Sequence, residues 1–327
     1  MKYRELGKTG VKVSEVSLGT WQLGGGWGAD FDREMALKTL RTARQHGINC
    51  FDTADVYQGN MSERIIGEYI NEEDSTPFVI TKIGRRIDPH VADGYNEETL
   101  RRFVDEARQI MNVDTLDMVL LHCPPTDVYY NPDVFKVLDT LKEEKKILHY
   151  GVSVERIEEG LKAMEYDGVD AVEIIFNMFR HRPNELFFKQ AERKNVGVIV
   201  RVPLASGLLT GKLTEESTFK EDDHRHFNRE GAAFDKGETF SGVDYMTGLK
   251  AANSLKNHFE SDNIAPYALK WILMFDAVST VIPGASRPEH IERNAVVSDM
   301  PPLTSTDMEA VKTIYDKYIK DPVHHQW

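Results

Sequence analysis

The stretch Leu100-Arg101-Arg102-Phe103-Val104-Asp105-Glu106-Ala107-Arg108-Gln109-Ile110-Met111, followed after Asn112 to Asp117 by Met118-Val119-Leu120-Leu121-His122, holds the fold in miniature. In its first half Leu100, Phe103, Val104, Ala107, Ile110 and Met111 recur at helical spacing and gather one apolar stripe along a helix. Its second half is a short continuous apolar run ending in a polar residue, the pattern of a strand buried on both faces. Outward from there, similar runs recur at Glu15 to Leu18, Ile48 to Phe51, Phe78 to Thr81, Leu148 to Val152, Ala171 to Phe176, Val196 to Val202 and Ser279 to Ile282, which makes eight. Each strand returns through a helical crossover, so neighbours are parallel. Eight such units point to an α/β fold, a (β/α)8 TIM barrel, because closure leaves no edge strand; an open doubly wound sheet is the alternative. That alternative lacks its glycine fingerprint, since Gly24-Gly25-Gly26-Trp27-Gly28 has the wrong spacing and no helix start directly behind it. Residues 1–327 read as a single barrel domain. Tyr3 to Leu6 and Val11 to Val13, flanking Lys8-Thr9-Gly10, are expected to form an N-terminal β-hairpin that caps one barrel mouth. A long interval follows strand seven, and its charged part from Glu215 to Gly242 is expected to lie as a loop over the mouth.

Forty Lys+Arg face 53 Asp+Glu, a formal charge of −13. Such a surface repels phosphate backbones and anionic lipid, so nucleic acid and membrane are excluded as partners in favour of a small molecule. Cys50 and Cys123 are the only cysteines, too few for a disulfide framework or a paired metal site, and no metal is expected. No apolar run is long enough to span a bilayer and the first residues are polar, so a cytoplasmic protein is expected, as a monomer or weak homo-oligomer.

In a barrel of this kind the reactive groups project from the C-terminal ends of the strands. Strand two ends at Asp52 with Tyr57 close behind, strand three at Lys82, strand four at His122 and strand five at Ser153. Singly, Asp52 could cap a helix, Lys82 could reach solvent and His122 could be a core histidine. Together they supply an acid and its activators. A phenol titrating near about 10 is a poor acid at neutral pH unless a cation stabilises its phenolate; Lys82 can do so for Tyr57, and Asp52 can keep Lys82 charged.

At this point the chain resembles the aldo-keto reductase family, through Phe51-Asp52-Thr53-Ala54-Asp55-Val56-Tyr57, Thr81-Lys82, Leu120-Leu121-His122, Gly151-Val152-Ser153, Pro203 to Lys212 and Val281-Ile282-Pro283-Gly284-Ala285. The resemblance implies an oxidoreductase that holds NADPH (NADP) across the C-terminal mouth and reduces an aldehyde or ketone, sugars included, to an alcohol. In it Tyr57 is the proton donor, Lys82 lowers its pKa, Asp52 pairs with Lys82, and His122 orients the carbonyl. It also implies that Ser153, Glu173, Arg201, Pro203, Leu204, Gly207, Gly284, Arg287, His290 and Asn294 contact the cofactor. Two positions depart from the pattern: Val154 replaces an asparagine beside Ser153, and Glu173 replaces a glutamine. Glu173 either accepts from the carboxamide or turns to solvent; Arg201 either meets the nicotinamide or substrate, or forms a structural salt bridge. Arg287 is the expected partner of the 2′-phosphate of NADP(H). Trp21 and Trp27, with Tyr57, His122, Tyr129 and Tyr130, are expected to line the substrate pocket. Potassium-channel β subunits resemble the same family, so a cofactor-binding regulatory module is the alternative function.

Overall fold

The computed structural model describes residues 1–25, 30–73 and 76–327. The N-terminal hairpin pairs β1 (Tyr3–Glu5) antiparallel with β2 (Lys12–Ser14). All eight apolar runs then contribute a parallel strand: β3 (Leu18–Gly19), β4 (Cys50–Asp52), β5 (Phe78–Ile83), β6 (Leu116–His122), β7 (Ile147–Ser153), β8 (Val169–Ile175), β9 (Gly197–Arg201) and β10 (Val278–Val281). They are hydrogen-bonded in chain order from β3 to β10. The ring closes where the Ser17 amide donates to the Val281 carbonyl at 2.9 Å, the Val281 amide donates to that of Glu15 at 3.0 Å, and Gly19 bridges Gly284. A Cβ on Gly19 would lie 2.8 Å from the Ile282 carbonyl oxygen, so this seam requires glycine. The open-sheet alternative is thereby excluded. The first run is a shorter strand than expected, because β3 pairs with β4 only through Leu18 and Gly19.

The helices α1 (Arg33–Gln45), α2 (Met61–Glu72), α3 (Glu97–Met111), α4 (Pro132–Glu143), α5 (Ile157–Ala163) and α6 (Phe187–Lys194) alternate with β4 to β9. The long interval after β9 is loop only in its first part. It carries α7 (His224–Phe227), then α8 (Tyr245–Phe259) and α9 (Ala265–Leu273), which return the chain to β10. Helices α10 (Pro288–Ala295), α11 (Ser305–Tyr318) and α12 (Lys320–Val323) finish the fold.

Side-chain alternation along the strands builds two apolar layers. Outside the barrel, Leu100, Phe103, Val104 and Met111 of α3 share one core with Val119 and Leu121 of β6. Inside it, Cys50, Ile80, Met118, Leu120, Ala171 and Ile199 pack around Leu6 and Val13, so the hairpin plugs the end at which the strands begin. Burying each large side chain there is worth about 1.5–3 kcal/mol.

Candidate active site

Two residues farther along the same strands, on the same inward face, the chemistry changes. Cys50 gives way to Asp52, Ile80 to Lys82, Leu120 to His122, Gly151 to Ser153, Ala171 to Glu173 and Ile199 to Arg201. Tyr57 reaches the same point from the turn after β4, which is tied to β5 by the Thr53 amide donating to Ile80 O at 2.8 Å and the Asp55 amide to Lys82 O at 3.1 Å.

Lys82 is the hub. Its fully buried ammonium donates to both Asp52 oxygens at 2.6 Å, to the Thr53 carbonyl at 3.1 Å and to Tyr57 Oη at 3.4 Å. Glu173 Oε2 stands 3.4 Å away on the β8 side. Burial pulls this lysine down, but Asp52 and Glu173 outweigh it and raise its pKa, so it stays charged. Burial and the nearby Glu173 push Asp52 well up against the pull of Lys82.

Lys82 pulls the Tyr57 phenol down in the expected direction, but burial is the larger influence. Burial raises the phenol, Lys82 opposes this, and Asp52 and Glu173 add to the rise; the net direction is upward. His122 sits edge-on to Tyr57, ring centroids 6.0 Å apart at 83°. Burial, then Arg85 and Lys82, pull it well down, so its imidazole is neutral.

A cavity of about 560 Å³ opens above these groups, lined by Tyr57, His122, Glu173 and Trp21, whose ring stacks 6.2 Å from that of Tyr57. Arg201, Pro203, Leu204, Gly207 and Gly284 line it too. Ser153 lies fully buried beneath, its hydroxyl donating to Glu173 Oε1 at 3.3 Å. Glu173 is therefore held inward by Ser153 and Lys82, which removes its solvent-facing alternative. The tyrosine pair is a correction: Tyr129 is wholly buried in the outer core and Tyr130 is exposed, because the turn after β6 points them away from the mouth. Trp27 lies outside the described residues.

Among its alternatives, Arg201 holds the salt bridge. It donates to the Val154 carbonyl at 3.0 Å and to Glu155 Oε2 at 3.1 Å, and its Nη1 lies 3.4 Å from Glu238 Oε2. Arg85 bridges the same two acids, at 2.6 Å to Glu238 and 3.1 Å to Glu155. Cys123 Sγ and these carboxylates lie within 4.8 Å of one another, a spacing that suits a metal, but the guanidinium groups already pair with both acids. The Cys123 thiol is pushed up to about 12 by burial and Glu155, which leaves it inert.

Glu238 arrives on the loop after β9. Phe234 and His224 of this loop also line the cavity, so it covers the mouth, as expected from its sequence. Buried Asn228, Thr239 and Ser241 hydrogen-bond along it, and Trp327 at the C-terminus donates from Nε1 to Asp235 at 2.8 Å.

Arg287 caps the start of α10, with His290 and Asn294 farther along that helix, beyond the residues that line the cavity. His290 is pulled down by burial and then by Arg287, Arg293 and Lys212, which marks a basic cluster around it. None of these three cations has an ion-pair partner among the described residues. Lys212, Arg293, Arg85, Glu155 and Glu238 escaped the sequence reading. Lys212 closes the stretch from Pro203 already singled out and could have been found; Glu238 carries no local signal at all.

Residues 15–316 match the model of the Aldo/keto reductase family. The chain is 27% identical over 326 residues to the aldo-keto reductase YhdN of Bacillus subtilis, covering 99% of this chain and 96% of that one. It is 29% identical over 320 residues to the NADH-specific methylglyoxal reductase of Escherichia coli, covering 90% and 92%. The holo form of aldo-keto reductase AKR11C1 from Bacillus halodurans superposes with a TM-score of 0.78 at 22% identity, over 100% of this chain and 99% of that one. No helix among the described residues is long and apolar enough to cross a membrane.

Proposed function

This chain belongs to the aldo/keto reductase family, and on that footing we propose that it reduces a small aldehyde or ketone to the alcohol with NADPH, with Tyr57 as general acid. The observation that carries this is the 3.4 Å contact between Lys82 Nζ and Tyr57 Oη, at the floor of a cavity that His122 also lines. The donors fit a phosphorylated dinucleotide. Lys212, Arg287 and Arg293 offer three cations without an ion-pair partner among the described residues around His290 of α10, Arg287 at the N-cap of that helix and Arg293 in its last turn, a cluster that can take a 2′-phosphate, while Pro203, Leu204, Gly207 and Gly284 line the cavity that Tyr57 also lines. When bound, the coenzyme supplies the hydride.

The protein's own part is to place the carbonyl oxygen and give it a proton. A raised pKa keeps Tyr57 protonated at neutral pH, so the acid is always loaded. A developing alkoxide is more basic than a phenolate and takes the proton from Oη, and Lys82 then stabilises the phenolate left behind. His122, kept neutral, can donate a ring N–H to the same oxygen. Asp52 and Glu173 hold Lys82 in place and charged. Trp21 offers an aromatic wall suited to the apolar face of a small carbonyl compound, sugars included. The relative named as a methylglyoxal reductase supports a small carbonyl substrate; its NADH specificity leaves coenzyme choice to the basic cluster here.

The test is absorbance at the nicotinamide band across aldehydes, ketones and sugars with each coenzyme. NADPH should be consumed, with a preference over NADH of about tenfold or more that shrinks in Arg287→Gln. No consumption with any carbonyl would return the chain to the regulatory-module reading.

A further inference from the structure

Arg85, Glu238, Arg201 and Glu155 close a ring in which each carboxylate meets both guanidinium groups. Glu238 is the member that comes from the loop, and it offers one oxygen to each arginine: Oε1 to Arg85 at 2.6 Å and Oε2 to Arg201 at 3.4 Å. All but Glu155 line the same cavity as Tyr57 and His122. We infer that Arg85 and Arg201 form a carboxylate subsite of the substrate pocket, that Glu238 stands in it as a stand-in ligand, and that the substrate is a carbonyl compound bearing its own carboxylate.

Three observations support this beyond the contact itself. The two guanidinium groups converge on one carboxylate from separate segments, Arg85 from the turn after β5 and Arg201 from the end of β9, a forked arrangement suited to planar anions. Each also has a buried Nε with no hydrogen-bond partner among the described residues, so Glu238 and Glu155 do not exhaust their donors. The two acids of the ring also crowd each other. Burial and the neighbouring Glu238 push Glu155 up, while Arg85 and Arg201 pull Glu238 down against its burial, the directions expected of two acids crowded between two guanidinium groups.

Displacement does not require the loop to open. Its backbone is pinned on both sides of Glu238, where Ser206 Oγ donates to the Glu238 carbonyl at 3.1 Å and Arg180 donates to those of Gly237 and Ser241 at 3.1 and 3.2 Å. Only the Glu238 side chain has to swing away. A substrate carboxylate then takes over both arginines while its carbonyl lies toward Tyr57 and His122.

This rests on the reductase reading for its turnover arm, so the experiment has two arms. In the first, NADPH-dependent reduction of succinic semialdehyde is compared with that of butanal, its uncharged counterpart. The ratio of kcat/KM should favour the acid by about tenfold or more, fall toward one in Arg85→Gln, and rise in Glu238→Gln, where the competing charge is gone. In the second, butanoate and butanamide are titrated calorimetrically into the protein loaded with NADP⁺. Butanoate should bind more tightly, and more tightly still in Glu238→Gln. A ratio at or below one in all three proteins, with butanoate no better than butanamide, overturns the subsite and leaves the ring as a clamp on the loop. Butanoate binding that strengthens in Glu238→Gln without reduction of either aldehyde upholds the subsite and sinks the reductase reading instead.

Discussion

The two ends of this barrel are made of the same strands and differ in nearly everything else. At the end where the strands begin, Cys50, Ile80, Met118, Leu120, Ala171 and Ile199 close around Leu6 and Val13 of the hairpin. One pleat repeat beyond Cys50, Ile80, Leu120, Gly151, Ala171 and Ile199, the inward positions carry Asp52, Lys82, His122, Ser153, Glu173 and Arg201. The first set stabilises by removing apolar surface from water. The second buries charges at a cost that is offset only by their pairing with one another. Stability and chemistry are therefore separable along a single strand, and substitutions at the two ends should have opposite signatures.

The largest expected effect lies at the charged end. Tyr57→Phe should lower turnover by roughly 10²–10⁴-fold while thermal stability and NADPH affinity stay near those of the wild type. Steady-state rates alongside a melting curve decide it, and equal turnover would remove Tyr57 from its role. Met118→Ala, at the apolar end, should do the reverse. It should cost about 2–5 kcal/mol of stability in denaturant unfolding, with kcat per folded molecule retained. A large loss of kcat there would break the separation.

Glu173→Gln should have the smallest effect and sharpen the comparison most. A carboxylate beside the ring favours the cationic oxidised nicotinamide, so its loss should weaken NADP⁺ relative to NADPH by about fivefold, read as the ratio of dissociation constants. Glu173 also raises the Tyr57 pKa. Removing its charge lets the phenol ionise at lower pH, so the alkaline limb of the rate profile, where the acid is lost, should move downward. An unchanged limb together with an unchanged ratio would mean that Glu173 only props Lys82.

Legibility divides along lines of range. The strand ending at His122 and the helix before it were readable because apolar periodicity is local and repeats eight times; Lys82 and His122 were legible as strand ends, and Glu173 only through the family resemblance. Asp52 and Tyr57 were readable through the motif at 51–57. Strand ends were less so, since Leu18–Gly19 owes its brevity to the partners it finds on either side. Tyr129 and Tyr130 misled because aromatic residues near a mouth do not announce which way their turn will aim them. The net direction at Tyr57 was not legible because it is set first by burial, which only the packed barrel supplies; Lys82 pulls the phenol down as its position implied, and Asp52 and Glu173 add to the rise.

The sequence alone determined that there would be eight parallel strands, a plugged end, and a row of Asp, Tyr, Lys and His at the other, because period and parity are properties of neighbouring residues. Only the tertiary structure decided that Arg85 and Glu238, 153 positions apart, meet within 2.6 Å, and that Trp327 braces the loop carrying that glutamate. Coulombic contacts between distant segments depend on how the ring closes and how the loop returns across it, and no local pattern encodes either.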